Sequence, residues 1–317
     1  MAQRILEPGE IESLDHRSIP RIRIPDRQRL FAARAARLEY LTSISAMGGY
    51  LAFLARLVEA QQAALAVSDA TLPSRVLLDR ATENRMPPIA PGDWIDASRW
   101  QSSLQHMCTR LLRESVLPAA VRELASSLKH ADREWLNTQA QTLLAADTSP
   151  DVSVAPFIMA ALQVYSVDLA SQFSAPAVTP LDVPGVCPLC GTSPVGSIVY
   201  ANPPFQGYRY LHCGLCATEW HRVRVQCTYC GVSGKDVALH NLEALDSRPA
   251  TENAQPAIRA ETCDSCLSYR KIFYQEWDTG VEPIADDVAS IELDVLLGEK
   301  GYHRINGNPL LWQATLR

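Results

Sequence analysis

The sequence has no apolar run long enough to cross a bilayer. Its best stretch, from Ile44 to Ala60, is broken by Gly48, Gly49 and Arg56 and falls short of the ~20 apolar residues a span requires. An apolar leader is also missing: Met-Ala-Gln-Arg runs directly into Glu7, Glu10, Glu12 and Asp15, without the h-region of a secretory signal, which points to the cytoplasm. Positive charge is in deficit. Twenty-nine Lys and Arg against 35 Asp and Glu give a net charge of -6 and a pI of about 5.7, so nothing draws the whole chain to nucleic-acid phosphates or an acidic membrane. No nucleophile motif, P-loop or dinucleotide fingerprint is present, which leaves catalysis without visible residues and favours a non-enzyme.

The chain has 317 residues, 47% of them hydrophobic and 20% charged, a soluble composition too long for one core, so two or three domains are expected. Up to about residue 173 the apolar pattern is helical: Leu38 and Leu41, then Tyr50, Leu51, Leu54, Leu57 and Val58, then Ala64 and Leu65 recur at spacings of three, four and seven. Trp100, Leu104, Cys108, Leu111 and Leu112 repeat it, with Asp96 as an N-cap. Cys108 on that stripe reads as a buried core residue. Further helices are expected around Val121 to Leu128, Trp135 to Leu144 and Phe157 to Leu169, two of them with Pro118 and Pro156 near their starts.

Residues 174–186 carry Pro176, Pro180, Pro184 and Gly185 and read as a linker. Beyond it, short strands are expected at Ser197 to Tyr200, Gly207 to His212, Thr218 to Gln226, Val237 to Leu242 and Leu267 to Glu276. A closing helix from Ile284 to Leu297 follows Pro283 and ends at Gly298 and Gly301, with Asp286 and Asp287 suiting its N-terminal dipole. The expected architecture is α plus small β. An all-helical domain (1–173) and the linker precede two tandem rubredoxin-like, or zinc-ribbon-like, modules (187–226 and 227–317), the second carrying the C-terminal helix.

Eight of nine cysteines lie in four identically spaced pairs: Cys187 and Cys190, Cys213 and Cys216, Cys227 and Cys230, Cys263 and Cys266. Two intervening residues let both sulfurs of a pair face one ion, and a second pair closes the tetrahedron. Gly191 and Gly231 follow the second cysteine of their pairs, where a positive φ lets the turn fold around sulfur. A thioredoxin-like dithiol belongs at a helix N-terminus in a βαβ setting, which none of these pairs occupies, and iron–sulfur clusters usually draw three ligands from one short run. Two mononuclear ions are expected. Sequential pairing is favoured over interleaved pairing because each loop then encloses its own hairpin. Four thiolates suit iron and zinc alike, and leave no open position for hydrolysis; His212 and His221 lie close by, but both quartets are complete without them.

Outside the cysteines, Trp220, Arg222 and Arg224 would share one strand face able to stack bases or anchor a protein. On the last helix, Asp286, Ser290 and Asp294 form a polar stripe at spacings of four, read as a solvated face. Trp220, Arg222, Arg224, Asp286 and Asp287 are the candidate partner-binding residues.

Several motifs in this order resemble the FdhE family of formate dehydrogenase accessory proteins. They are Cys187-Pro-Leu-Cys190-Gly191, Arg209-Tyr210-Leu211-His212-Cys213 with Cys216, Thr218-Glu219-Trp220-His221, and Cys227 to Cys230. Glu261-Thr262-Cys263-Asp264-Ser265-Cys266, Ala285-Asp286-Asp287-Val288-Ala289-Ser290 and Asn308-Pro309 continue the series. The resemblance covers the C-terminal 130 or so residues densely and the helical half only in character. It implies a cytoplasmic maturation factor for molybdenum- or tungsten-dependent respiratory formate dehydrogenases, one that contacts the catalytic subunit before twin-arginine export. It also implies iron in rubredoxin-like sites, which favours iron over zinc. Electron transfer to the enzyme's cofactor and zinc-ribbon nucleic-acid binding are the competing readings.

Overall fold

The computed structural model describes residues 19–96, 99–145, 151–183, 185–241 and 256–311. Glu7, Glu10, Glu12 and Asp15 of the expected leaderless start, Pro184 of the linker and Leu242 of an expected strand lie outside them. Among the described residues seven α-helices make the N-terminal part: α1 (Leu30–Leu41), α2 (Gly48–Ala66), α3 (Arg75–Glu83), α4 (Arg99–Leu111), α5 (Ala119–Lys129), α6 (Arg133–Leu144) and α7 (Ala155–Ala170). The apolar stripes close on one another, α1 on α2, and α2, α4 and α6 around α7. All sixteen residues of α7 are buried, so it is a core helix and not an amphipathic one. Gly48 is required where α1 turns back into α2, because a Cβ there would lie 2.4 Å from the Thr42 carbonyl oxygen. Asp132 caps α6, accepting from the amides of Glu134 and Trp135 at 2.9 and 3.0 Å. Asp96, expected to cap α4, instead accepts from Gln141 Nε2 at 3.0 Å, and residues 97–98 lie outside the described ones.

The strands are β1 (Ile22–Arg23), β2 (Pro194–Val199), β3 (Arg209–Cys213), β4 (Glu219–Arg222), β5 (Val237–His240), β6 (Ile258–Cys263), β7 (Ser268–Tyr274) and β8 (His303–Arg304). They form one sheet in the order β1-β4-β3-β2-β7-β6-β5, with β8 also on β7. Each four-cysteine module supplies an antiparallel meander, and the two meanders join through the parallel pair β2 and β7, where Ser197 faces Ile272. Arg209 on β3 makes a buried fork to Glu261 on β6, at 2.8 and 2.9 Å, while donating to Ser197 Oγ. The sheet is therefore continuous across residue 226. The N-terminal half also contributes to it: Ile22 and Arg23 pair with Trp220 and Glu219, so that half is not purely helical.

The closing helix is two helices, α8 (Pro283–Ala289) and α9 (Ile291–Glu299). Their break has a visible cause. Buried Lys271 donates to the carbonyls of Asp287 and Ser290, both at 2.9 Å, taking acceptors a continuous helix would use, and Ser290 Oγ donates back to the Asp286 carbonyl at 2.7 Å. The polar stripe is consequently internal. Asp287 and Asp294 face Lys271 and Arg304, and Asn308 donates to Asp287 Oδ2 and to the Ile284 carbonyl, both at 2.8 Å. Asp286 takes a fork from Arg37 of α1, with contacts of 2.6 to 3.1 Å, and Arg34 pairs with Glu282 at 2.9 Å. These bonds fasten the end of the chain to the helical layer.

Burial pushes Asp286 up to about 6 even beside Arg37. At Asp287 burial acts in the same direction, but Arg304 and Lys271 outweigh it and hold the carboxyl below its ordinary value. Asp287 is thus the centre whose removal leaves charge most exposed to an apolar interior. Asp287→Ala should destabilise by about 3 kcal/mol, because it leaves Lys271 and Arg304 to share Asp294 as their one remaining carboxylate, read as a shift of the urea midpoint at constant slope; an unchanged midpoint would contradict this role.

Candidate metal centres

Each set of thiols is assembled by two turns at the ends of strands. In the first set Cys187 and Cys190 precede β2, while Cys213 ends β3 and Cys216 lies in the turn to β4; in the second, Cys227 and Cys230 precede β5, while Cys263 ends β6 and Cys266 lies in the turn to β7. Within each set all four sulfurs lie within 4.8 Å of one another. The grouping is sequential. Across the first set Cys187 Sγ is 3.5 Å from Cys216 Sγ and Cys190 Sγ is 3.4 Å from Cys213 Sγ. The corresponding distances in the second set are 3.8 Å from Cys227 to Cys266 and 3.6 Å from Cys230 to Cys263. A disulfide would bring sulfurs to ~2.05 Å, and all nine cysteines are free. A tetrahedron of sulfurs ~2.3 Å from a central ion has edges of ~3.8 Å, so both sets can hold a metal ion.

The turns explain why the sequence folds this way. Gly191 N–H returns to the Cys187 carbonyl and Cys187 N–H to the Thr192 carbonyl, both at 2.9 Å; Gly231 and Cys227 repeat this at 3.0 and 2.8 Å, with Val232 in place of Thr192. In all four turns the residue after the second cysteine has positive φ: Gly191 at 75°, Ala217 at 56°, Gly231 at 80° and Leu267 at 54°. Two of these are not glycine, so the conformation is not marked by residue type at Ala217 and Leu267. The amides of Leu215 and Cys216 both point at Cys213 Sγ from 3.4 Å. A hydroxyl two places after the second cysteine also contacts its sulfur in three of the turns: Thr192 and Thr218 at 3.1 Å, Ser268 at 3.0 Å. Cys-x-x-Cys-x-Ser/Thr was the legible signal for these hydroxyls, and sequence reasoning missed it.

The two sets differ in surroundings. All four cysteines of the first are buried, with Leu189 and Leu215 in the same apolar core as α7. Gln163 of α7 donates to the Gly214 carbonyl at 2.6 Å, and Ile89 N–H to the Leu189 carbonyl at 3.0 Å. In the second set Cys230 is exposed and Cys266 partly so. Burial, joined by contacts to the neighbouring thiols, pushes Cys187 well above its ordinary value. At Cys227 burial is outweighed by the backbone amides of Cys230 and Tyr229, which bring it to about 7. Arg270 is buried beside this set, donating to Thr228 Oγ1 at 2.9 Å and to the Pro194 carbonyl. An ion with four thiolates carries net negative charge, which that guanidinium offsets.

Neither His212 nor His221 joins a set. His212 Nδ1 lies 2.9 Å from Glu219 Oε1, and His221 meets the rings of Tyr208 and Tyr210 edge-on. Cys108 is buried on α4, and burial pushes its thiol up to about 12. The expected partner face is not formed: Trp220 is buried, Arg222 is half-buried and donates to Gln226 at 3.0 Å, and the strand ends at Arg222, before exposed Arg224. A base-stacking platform on Trp220 is thereby removed. Asp286 and Asp287, expected at a surface, are wholly buried, because each neutralises cations from neighbouring elements. Among the described residues no helix is long and apolar enough to cross a membrane.

Comparison with known proteins gives three consecutive family matches: "FdhE, N-terminal" over residues 19–182, "FdhE, central domain" over 186–224 and "FdhE, C-terminal domain" over 225–311. The chain is 36% identical over 321 residues to Protein FdhE homolog of Cronobacter sakazakii, covering 98% of each. It has the same identity and coverage with Protein FdhE of Escherichia coli K12. The crystal structure of the FdhE protein from Pseudomonas aeruginosa superposes with a TM-score of 0.81 at 35% identity, over 92% of this chain and 99% of that one.

The unequal burial of the two sets generates a kinetic expectation. EDTA added to metal-loaded protein should release metal in two phases, the fast one from the set containing Cys230. Cys230→Ala should abolish the fast phase and leave the slow one; a single phase, or loss of the slow one, would contradict the asymmetry.

Proposed function

The chain belongs to the FdhE family, and from that membership we propose that it is a non-catalytic maturation factor for respiratory formate dehydrogenase. In this reading it acts in the cytoplasm, binds the enzyme's catalytic subunit before export, and holds two metal ions through Cys187, Cys190, Cys213 and Cys216 and through Cys227, Cys230, Cys263 and Cys266. The observation that carries it is the pair of four-sulfur sets with tetrahedral spacing, set in a chain of which 98% aligns with a relative. Four thiolates saturate such an ion, so its first contribution is to bind distant turns together and not to activate a substrate. Iron is favoured over zinc by the family resemblance; both suit the donor set.

A second reading, electron transfer, is favoured by the exposure of Cys230, since an iron centre at the surface can exchange electrons with a docked cofactor. Iron-loaded protein should then cycle reversibly in a redox titration, whereas bound zinc, or iron that cannot be recycled, would end that reading.

Association with the isolated catalytic subunit in a pull-down is the direct test of the maturation role. Absence of binding, together with a fully active enzyme in a strain lacking this protein, would overturn it. Structural zinc contributes ~10–16 kcal/mol in small modules, comparable to the whole ~5–15 kcal/mol stability of a domain. Cys213→Ala should therefore lose one ion and melt the first module with the helical core it adjoins; unchanged metal content and thermal midpoint would contradict this.

A further inference from the structure

We propose that Arg270 is the counter-cation of the second four-cysteine set, and that it makes this set, when both hold iron, the one that takes an electron first. This rests on the electron-transfer reading and names the residue that would order its two centres.

Arg270 lies on β7 with 4% of its surface exposed. Its guanidinium donates to Thr228 Oγ1 at 2.9 Å and to the Pro194 carbonyl, both of them neutral acceptors. Glu261, opposite it in register, is already held in a fork by Arg209. Arg304 and Lys271 are matched by Asp287 and Asp294. Of these four cations, Arg270 is the one without a carboxylate of its own. Burial, with Arg209 and Arg304 adding to it, brings its guanidinium down to about 9, so it stays charged at neutral pH. A buried charge without a partner is costly. Thr228 directly follows Cys227, and negative charge on the Cys227 sulfur favours the guanidinium. The four-thiolate ion therefore supplies the anion that the sheet withholds from Arg270.

The first set is built differently. Beside burial, the groups acting most strongly on its sulfurs are its own thiols and Thr192. Cys187 and Cys216 are 0% exposed, Cys190 and Cys213 1%. One electron added to a ferric ion held by four thiolates makes the centre one unit more negative, with every iron–sulfur bond kept and no proton needed. An apolar interior without a cation resists that added charge, whereas a buried guanidinium and contact with water through Cys230 favour it. Both differences act in one direction, toward reduction of the second set before the first. Hydrogen bonds to sulfur occur in both sets, from Leu215, Cys216, Thr192 and Thr218 in the first and from Tyr229, Cys230 and Ser268 in the second, which leaves charge and exposure to decide the order. The surface carboxylates of Asp236 and Asp264 are offset by Arg224 and Lys235, and solvent screens all four.

The test uses the full-length chain loaded anaerobically with iron and titrated with dithionite through soluble mediators, read by visible absorption. The parent should reduce in two one-electron waves. Cys230→Ala, which takes iron from the second set, should remove the upper wave and leave the lower. Arg270→Gln should keep both irons and move the upper wave down by at least a tenfold change in the reduction equilibrium, ~59 mV for one electron, with the lower wave unmoved. Arg270→Lys keeps the charge and should hold the upper wave near its parent position. Arg224→Gln, an exposed cation of the same module, should move neither wave. If iron cycles in neither set, the electron-transfer reading itself fails and takes this inference with it. A single wave, loss of the lower wave in Cys230→Ala, an upper wave unmoved in Arg270→Gln, or an equal shift in Arg224→Gln overturns the role of Arg270 and leaves that reading standing. Should Arg270→Gln unfold, the wave lost in Cys230→Ala and the position of the upper wave in Arg270→Lys decide.

Discussion

Four sulfurs buried together beneath a helix are the constraint from which the rest of this architecture follows. Ionised thiols confined at such distances repel one another, and burial penalises each charge; neutral thiols there leave polarizable groups with little to hold the turns in register. A cation at the centre would remove the repulsion and join two separate turns into one rigid corner. The first module uses that corner as an anchor. Leu189 and Leu215 enter the apolar core, and Gln163 donates to the Gly214 carbonyl, so the turns that present these sulfurs pack as part of the helical core.

The repeat places the same corner in two settings. The parallel pairing of β2 with β7 and the fork between Arg209 and Glu261 make one rigid sheet from two copies. The first copy is enclosed, while the second stands at the surface with Cys230 exposed. The network of Arg37, Asp286, Lys271, Asp287 and Arg304 locks the last helices between sheet and helical layer, which fixes how the exposed copy is presented. A buried ionic pair is weak evidence for stability, and its best-attested use is to fix register.

Spacing made the cysteines legible, because ligand geometry is local: two residues between sulfurs and a positive φ after the second are properties of one turn. The same locality made α2, α4 and the strands around Tyr210 and Ile272 readable from periodicity. What escaped depends on contacts distant in sequence. β6 was not anticipated, because Ile258–Cys263 places Arg259 and Glu261 among its apolar residues, and only Arg209 across the sheet makes Glu261 a core group. The solvated stripe of Asp286, Ser290 and Asp294 was misjudged for the same reason, since its cations come from Arg37, Lys271 and Arg304. The break at Ser290 is likewise set by a lysine on a strand. Trp220 went inward because an N-terminal segment, Ile22–Arg23, pairs with its strand, and no pattern within residues 218–226 contains that information.

The account stands or falls on eight sulfurs converging on two ions. X-ray absorption at the metal edge, on protein prepared anaerobically from cells, measures this directly. The account predicts two metal atoms per chain, each with four sulfur neighbours at ~2.3 Å and no light-atom ligand. A shell containing nitrogen or oxygen, or protein carrying no metal at all, would contradict it.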